Sequence, residues 1–434
     1  MLKRKAMGKF ENWFAYKTKQ ALLVTGARQV GKTFLIREFA RRHWDNVVEI
    51  NFYENPQAAR AVDTAQDSRQ LFTRITAFAD EPMVPGKTVI FLDEVQECKE
   101  VVTAIKFLME RNDFDYILSG SMLGVELKGI ASAPVGHLST VTMYPLDLEE
   151  YCWAHGVAGE LLDEVFRCFD ANVAVDEYLH GRLNELFWRY LVSGGMPDPV
   201  ESFAQNDNIA QVRVLQEAIV SQYRYDISKY AGNRARVVRR IFDLMPSEVG
   251  RQDKRFVIRD VDGSSRFDRY DNDFMWLADA NVALPTYNTT EPRYPLKTNL
   301  EASRFKLFSS DVGLLTYQCG MDVVRSLAAG RTDINYGSLY ENAVAQELAC
   351  HGFDLMYYKD RKVGELDFLV QMRDAVVPIE VKSGKSYKRH SALSNALATP
   401  NWGIKRAIVL HEGNVESSGA ISYLPTYMVM CLKP

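Results

Sequence analysis

Residues 21–33, Ala-Leu-Leu-Val-Thr-Gly-Ala-Arg-Gln-Val-Gly-Lys-Thr, carry the strongest chemical signal in the chain. Two glycines, Gly26 and Gly31, bracket Ala27, Arg28, Gln29 and Val30, and Lys32 and Thr33 follow directly. The glycines let backbone N–H groups converge on phosphate oxygens. Lys32 is placed to reach the outer phosphates of a nucleotide, and Thr33 to hold Mg²⁺. A second signal lies near the C-terminus: Asp367, then Glu380 and Lys382 two residues apart. Two carboxylates suit a hard divalent cation, and the lysine points at the same water or phosphate.

The elements around the first motif fit that chemistry. The apolar run Ala21–Val24 reads as a buried strand, and Phe34, Leu35, Ile36, Phe39 and Ala40 follow at helical spacing. Strand, glycine loop and helix in that order place the loop at a helix N-terminus, where the dipole favours an anion. Residues 47–52 read as a second strand. A third, Thr88–Leu92, ends in Asp93-Glu94. In a parallel sheet these carboxylates reach the rim that carries the loop. Asp93 would assist Mg²⁺, and Glu94 would activate the attacking water. Residues 115–118 form a fourth candidate strand, followed by Ser119-Gly120-Ser121. Ser119 and Ser121 are either sensors of the terminal phosphate or part of a plain Ser/Gly turn.

The totals set limits. A chain of 434 residues suggests about two to four domains. The net charge of −4 is small, so nucleic-acid binding needs a local basic patch. Six scattered cysteines form no CxxC pair, which gives no zinc motif and no disulfide framework. The basic N-terminus is followed by no apolar signal-peptide core, and no apolar stretch approaches a membrane span. A soluble, cytoplasmic protein without membrane contact is expected.

Taken together, Gly26–Thr33, Leu92–Gln96, Leu118–Ser121 and Tyr144-Pro-Leu-Asp-Leu-Glu-Glu-Tyr151 resemble the AAA+-type ATPases of bacteria and archaea that carry a further domain of unknown function. Ser193-Gly194-Gly195-Met196-Pro197 is similar to the Gly-Gly-Xaa-Pro signature closing their ATPase lid. Asp311-Val312-Gly313-Leu314 looks like their Asp-Xaa-Gly-Leu landmark. The resemblance implies ATP and Mg²⁺ as cofactors, ATP hydrolysis, and a homo-oligomer, with a ring the usual form. Many relatives have Gly-Arg before the Pro-Leu motif; here it is Gly136-His137, so no arginine finger is assigned.

The middle of the chain is basic. Residues 209–223 look helical, and segment 229–240 carries five positive charges and no acid. Val237, Ile241 and Leu244 fit one apolar helix face, with Arg236, Arg239 and Arg240 elsewhere. Arg255–Arg259, an Asp262-Gly263 turn and Arg266–Tyr270 suggest a winged-helix unit, which the resemblance also implies. Such a unit fits a DNA backbone. A solvated face or an intersubunit contact is the alternative, because Asp243, Glu248, Asp253 and Asp260 are interspersed.

In the last third, a helix from Gly337-Ser338 to Gly352 precedes strand candidates 353–358, 365–371 and 376–382. Alternation puts Asp367 on one face of its strand, and Glu380 and Lys382 on one face of the next. Pairing would bring the three together. The pattern is similar to the core of restriction-endonuclease-like PD-(D/E)xK nucleases. That resemblance assigns Asp367, Glu380 and Glu341 to a metal, Lys382 to catalysis, and Glu365 as an extra ligand. Ser338–Glu341 also reads as a capping box, and Glu380–Lys382 as an ion pair on a solvated face.

The expected architecture is α/β. It comprises a parallel-sheet ATPase with a helical lid (1–200), a winged-helix connector (201–325) and a restriction-endonuclease-like domain (326–434). The expected function is ATP-dependent action on DNA with metal-dependent cleavage at the C-terminal site; the alternative is an ATP-driven DNA-binding motor or switch whose C-terminal domain only binds DNA or a protein partner.

Overall fold

In a computed structural model, the described residues are 2–16, 19–111, 113–121, 123–126, 136–249, 270–329 and 336–434. They form two compact units. One comprises Arg4–Tyr144 with Asp279–Asn281, and the other is built mainly from Pro145–Ala278 and Val282–Pro434.

The first unit is a parallel sheet. Its strands are β1 (Ala21–Thr25), β2 (Asn46–Asn51), β3 (Thr88–Asp93), β4 (Asp115–Gly120) and β5 (Leu138–Thr142). Their order is β2-β3-β4-β1-β5, and every pairing is parallel. β3 is buried along its whole length and β1 nearly so, as the continuous apolar runs require of central strands. Because the strands are parallel, the loop after β1 and the carboxylates ending β3 emerge at the same rim. The helix Lys32–His43 buries Leu35, Ile36 and Phe39. Phe39 meets Phe10 and Phe14 of the lead-in helix Ala6–Tyr16 edge-on.

The second unit begins with helices, among them Leu148–Ala154, Glu177–Ser193, Pro197–Asn206, Ile209–Tyr230 and Ala235–Val249. An eight-stranded sheet follows. Its strands are β6 (Ala283–Thr289), β7 (Leu300–Ser309), β8 (Met356–Asp360), β9 (Gly364–Met372), β10 (Ala375–Val381), β11 (Ala407–His411), β12 (Glu416–Ser418) and β13 (Ile421–Pro425). The order is β12-β13-β11-β10-β9-β8-β6-β7. β8, β9 and β10 pair antiparallel, whereas β10, β11 and β13 run parallel. β6 and β7 come from within 201–325, yet they pair into the sheet whose other strands come from 356–425.

The basic helix is rotated by about one position from its sequence-based reading. Its buried face is Val238, Ile241, Phe242 and Met245, with Val237 and Leu244 half-buried. Arg236, Arg239 and Arg240 are exposed, as expected. Arg234 is paired with buried Asp273, its Nε 2.9 Å from Oδ1. Of the segments that suggested a winged-helix unit, Arg255–Arg259, Asp262-Gly263 and residues 266–269 lie outside the described residues.

The landmark motifs of the second unit pack on one another. Asp311 caps the helix Val312–Cys319 through the Leu314 N–H and accepts the Gly195 N–H at 2.6 Å. The Leu146 N–H donates to the Gly195 carbonyl at 2.6 Å. A Cβ on Gly195 would stand 2.1 Å from the Leu146 carbonyl oxygen, and one on Gly313 2.3 Å from the Gly194 nitrogen. These glycines permit backbone to meet backbone.

Candidate functional site

The loop after β1 is shaped by left-handed residues. Gly26 has φ 141°, Gln29 φ 64° and Gly31 φ 91°. A Cβ on Gly26 would lie 2.2 Å from the Met143 carbonyl oxygen, so only glycine fits there. Repeated reversal of backbone sign turns successive N–H groups toward one concavity, the geometry that cradles an anion. Lys32 is buried, and its Nζ donates to the Gly26 and Ala27 carbonyls at 3.0 and 2.9 Å, holding the ammonium against the loop. The Arg28 guanidinium lies 5.4 Å from the centre of the Tyr53 ring.

Asp93 is the hub of the rim. Its Oδ2 accepts from Thr33 Oγ1 at 3.0 Å and from Asn51 Nδ2 at 3.1 Å. Its Oδ1 accepts from Ser119 Oγ and from the Glu94 N–H. Burial raises the Asp93 carboxyl above the usual range, and the Glu94 charge adds to this. The Ser119 and Thr33 hydrogen bonds and the Lys32 charge oppose the rise. A buried carboxylate that gathers hydroxyl and amide donors beside Thr33 has the donor set that Mg²⁺ takes. Glu94 adopts the left-handed conformation, φ 55°. Gln96 donates to Glu94 Oε2, and Ser121 Oγ donates to the same atom at 3.4 Å. Each serine thus serves one acid of the pair.

Asn51 and Gln96 were not anticipated. Asn51 ends β2 in register with Asp93, and its Oδ1 also accepts the Tyr53 and Glu54 N–H groups. An amide at the carboxyl end of the strand beside Asp93 was the available signal.

In the second unit, β9 and β10 pair antiparallel with Phe368 opposite Ile379. Asp367 Oδ2 accepts the Val381 N–H at 2.9 Å, which sets it beside Glu380 and Lys382. Lys382 Nζ donates to Glu380 Oε1 at 2.6 Å. Glu380 is buried, so this pair does not sit on a solvated face. Its Oε2 is buried and accepts no hydrogen bond. Burial first, then the Asp367 charge, pushes the Glu380 carboxyl up to about 8, against the pull of Lys382. An orphaned carboxylate oxygen next to a second carboxylate is an all-oxygen donor pair that fits a hard divalent cation.

Glu341 is buried in the helix Gly337–Cys350, whose start carries no side-chain cap, so the capping box does not form. Its charge acts on Lys306, Glu380 and Lys382. Even so, Glu341, Asp367 and Glu380 do not form a close ligand triplet. Among the described residues, the group with all ligand atoms within 4.8 Å is Asp147, Glu347 and His351.

Glu365 has other partners. Lys306 Nζ from β7 stands 2.6 Å from Oε1, and Lys359 Nζ from β8 stands 2.7 Å from Oε2. Burial would raise the Glu365 carboxyl, but the two lysines hold it down at about 2. Lys306 is itself buried. Burial alone would lower its ammonium, but the charges of Glu365, Glu341 and Asp367 outweigh that and raise it. Sequence reasoning missed Lys306, although a lysine between Phe305 and Leu307 in an apolar run was a visible anomaly.

Residues 18–152 match the family described as an AAA domain. This segment is an AAA-type P-loop ATPase domain. Residues 184–324 and 336–427 match two families, each described as a domain of unknown function, DUF8612 and DUF4143. The chain is similar to the Walker-type ATPase PABY2304 of Pyrococcus abyssi at 16% identity and TM-score 0.45, over 74% of this chain and 96% of that one. It is also similar to the Aeropyrum pernix Orc1 protein, solved in complex with DNA, at 11% identity and TM-score 0.28, over 76% and 93%. A third similar structure is the Thermotoga maritima RuvB Holliday junction branch migration motor, at 13% identity and TM-score 0.27, over 51% and 78%. No curated protein matches the chain. In the AAA domain, no helix among the described residues is long and apolar enough to cross a membrane, and the same holds in the second unit.

Proposed function

We propose that the chain is an ATP-hydrolysing machine that acts on DNA and cuts it, in a metal-dependent way, at Asp367, Glu380 and Lys382. In the AAA-type domain, the loop Gly26–Gly31 binds the phosphates and Lys32 neutralises their outer oxygens. Thr33 and Asp93 hold Mg²⁺, which when bound neutralises developing phosphate charge. Glu94 takes the proton of the attacking water, with Gln96 and Ser121 fixing its carboxylate. Ser119 locks Asp93 and thereby serves the sensor position.

In the C-terminal region, read as restriction-endonuclease-like, Asp367 and Glu380 would hold Mg²⁺ or Mn²⁺, which supplies an activated water and steadies charge on the scissile phosphate. Lys382 then orients that water or the phosphate. The observation that carries this reading is the buried, orphaned Glu380 Oε2 beside Asp367 and Lys382. DNA reaches the machine through the exposed Arg236, Arg239 and Arg240 of a winged-helix connector, and the working form is a homo-oligomer.

A second reading is an ATP-driven DNA binder that cuts nothing. It is favoured by the absence of Glu341 from a close triplet with Asp367 and Glu380, and by the pairing of Lys382 with Glu380. One experiment separates them. Labelled duplex, single-stranded, forked and four-way-junction DNA are incubated with Mg²⁺ or Mn²⁺, with and without ATP, using wild type and Lys382→Ala. Cleavage by wild type alone supports the first reading. DNA-stimulated ATP turnover without cleavage in either protein supports the second. No response to any DNA overturns both.

A further inference from the structure

We propose that Asp147, Glu347 and His351 form a binding site for a structural divalent cation of the zinc class. Asp147 lies some two hundred positions before Glu347 and His351, which are four residues apart. Asp147 sits at the N-cap of the helix Leu148–Ala154, whereas Glu347 and His351 lie at the C-terminal end of the helix Gly337–Cys350. One ligand atom from each falls within 4.8 Å of the other two. His351 Nε2 is 3.3 Å from Glu347 Oε1 and 3.9 Å from Asp147 Oδ2. Two bonds of about 2.1 Å to one ion span at most about 4.2 Å, so both separations fit a shared cation.

The outer atoms of each ligand are already held. Asp147 Oδ1 accepts the Glu150 N–H at 2.9 Å, and Glu347 Oε2 accepts the Leu148 N–H at 2.9 Å. His351 Nδ1 lies 2.8 Å from the Leu432 carbonyl oxygen, so Nδ1 carries the proton there. That hydrogen bond fixes the tautomer whose Nε2 lone pair faces the carboxylates, the arrangement usual behind a metal-bound histidine.

The independent sign of a ligand is Glu347 Oε1. Glu347 is 1% exposed, and this oxygen accepts no hydrogen bond. The 3.3 Å contact from the imidazole is not aligned as a hydrogen bond, so it does not satisfy Oε1. A cation at the centre satisfies the orphaned Glu347 Oε1. Two carboxylates and a neutral imidazole balance a divalent charge, and the nitrogen ligand favours Zn²⁺ or Co²⁺ over Mg²⁺. The ion would pin the Pro-Leu-Asp turn to the end of the helix Gly337–Cys350.

The test uses the full chain. Protein is stripped with chelator, loaded with Zn²⁺ or Co²⁺, desalted and assayed for bound metal, Co²⁺ absorption and thermal melting. One ion per chain is expected, with a visible Co²⁺ spectrum of low coordination number and a melting temperature raised by ~2–4 °C over the stripped form. Glu347→Gln keeps an acceptor for the Leu148 N–H but removes the charge. It should weaken Co²⁺ binding at least about tenfold. An Asp93→Asn, Glu380→Gln double variant should keep the spectrum, because those positions offer no nitrogen ligand. Failure of wild type to retain Zn²⁺ or give a Co²⁺ spectrum would overturn the proposal and leave a protonated-histidine ion pair. Retention of the spectrum in a folded Glu347→Gln protein would overturn it as well. Should Glu347→Gln fail to fold, the wild-type metal content and spectrum decide.

Discussion

The phosphate loop and the C-terminal carboxylate site handle charge in opposite ways. The loop gathers partial charges from backbone N–H groups, and its one ammonium is spread over two carbonyls. Its segment is contiguous in sequence. The C-terminal site concentrates full charges from four strands and a helix: Lys306, Lys359, Glu365, Asp367, Glu380 and Glu341. An unpartnered backbone dipole costs less to bury than an unpartnered ion, which must find its counter-charge. The first site should therefore be hurt mainly in function, the second in stability as well.

The largest effect to test that contrast is Glu94→Gln. Loss of the proton acceptor should reduce ATP turnover by about 10²–10⁴-fold while nucleotide binding and melting temperature hold. Turnover within about tenfold of wild type would remove Glu94 from the water-activating role. Lys306→Met is the matching change in the second unit. It leaves Glu365 without its buried partner and should cost about 3–5 kcal/mol in denaturant unfolding. Lys359→Met, which removes the more exposed lysine, should cost far less. Equal losses would show that burial does not distinguish the two.

A pH series sharpens the same point. The Glu365 carboxyl is held at about 2 in the fold against 4.5 when unfolded. As pH falls below 4.5 the unfolded chain takes the proton first, so the stability Glu365 contributes is full above 4.5 and drains away toward 2. Melting of wild type should fall across that window, and Glu365→Gln, though less stable overall, should show a shallower slope there. Gly26→Ala should cost at least ~1–3 kcal/mol of stability, more than Lys359→Met, because the side chain strains a positive φ and meets the Met143 backbone. Its nucleotide affinity should fall more than its stability.

Legibility followed the same division. The loop, the strand before it and the helix after it were readable because the whole unit is local. The Asp93-Glu94 pair was readable because an apolar strand must deliver its last residues to the sheet rim. Asp367, Glu380 and Lys382 were readable as a pattern, and the antiparallel pairing of β9 and β10 brings them together. Lys306 was not, because its partner Glu365 is on another strand far along the chain and no local rule links them. The rotation of the basic helix had a similar cause: Val237 and Val238 are equally apolar, and only packing selects Val238. The glycine landmarks at 194–195 and 313 also changed meaning. They serve a close backbone approach around Asp311, whose carboxyl burial raises to about 6 despite the N–H groups it accepts.

The sequence by itself determined the phosphate loop, the acidic strand end and the α/β alternation, since strand, turn and helix signals act over a few residues. Only the tertiary structure decided that β6 and β7 join the C-terminal sheet, that Glu365 belongs to two lysines, and that Asp147 meets Glu347 and His351. Those outcomes depend on long-range pairing and on how buried charges find partners, which no local window contains.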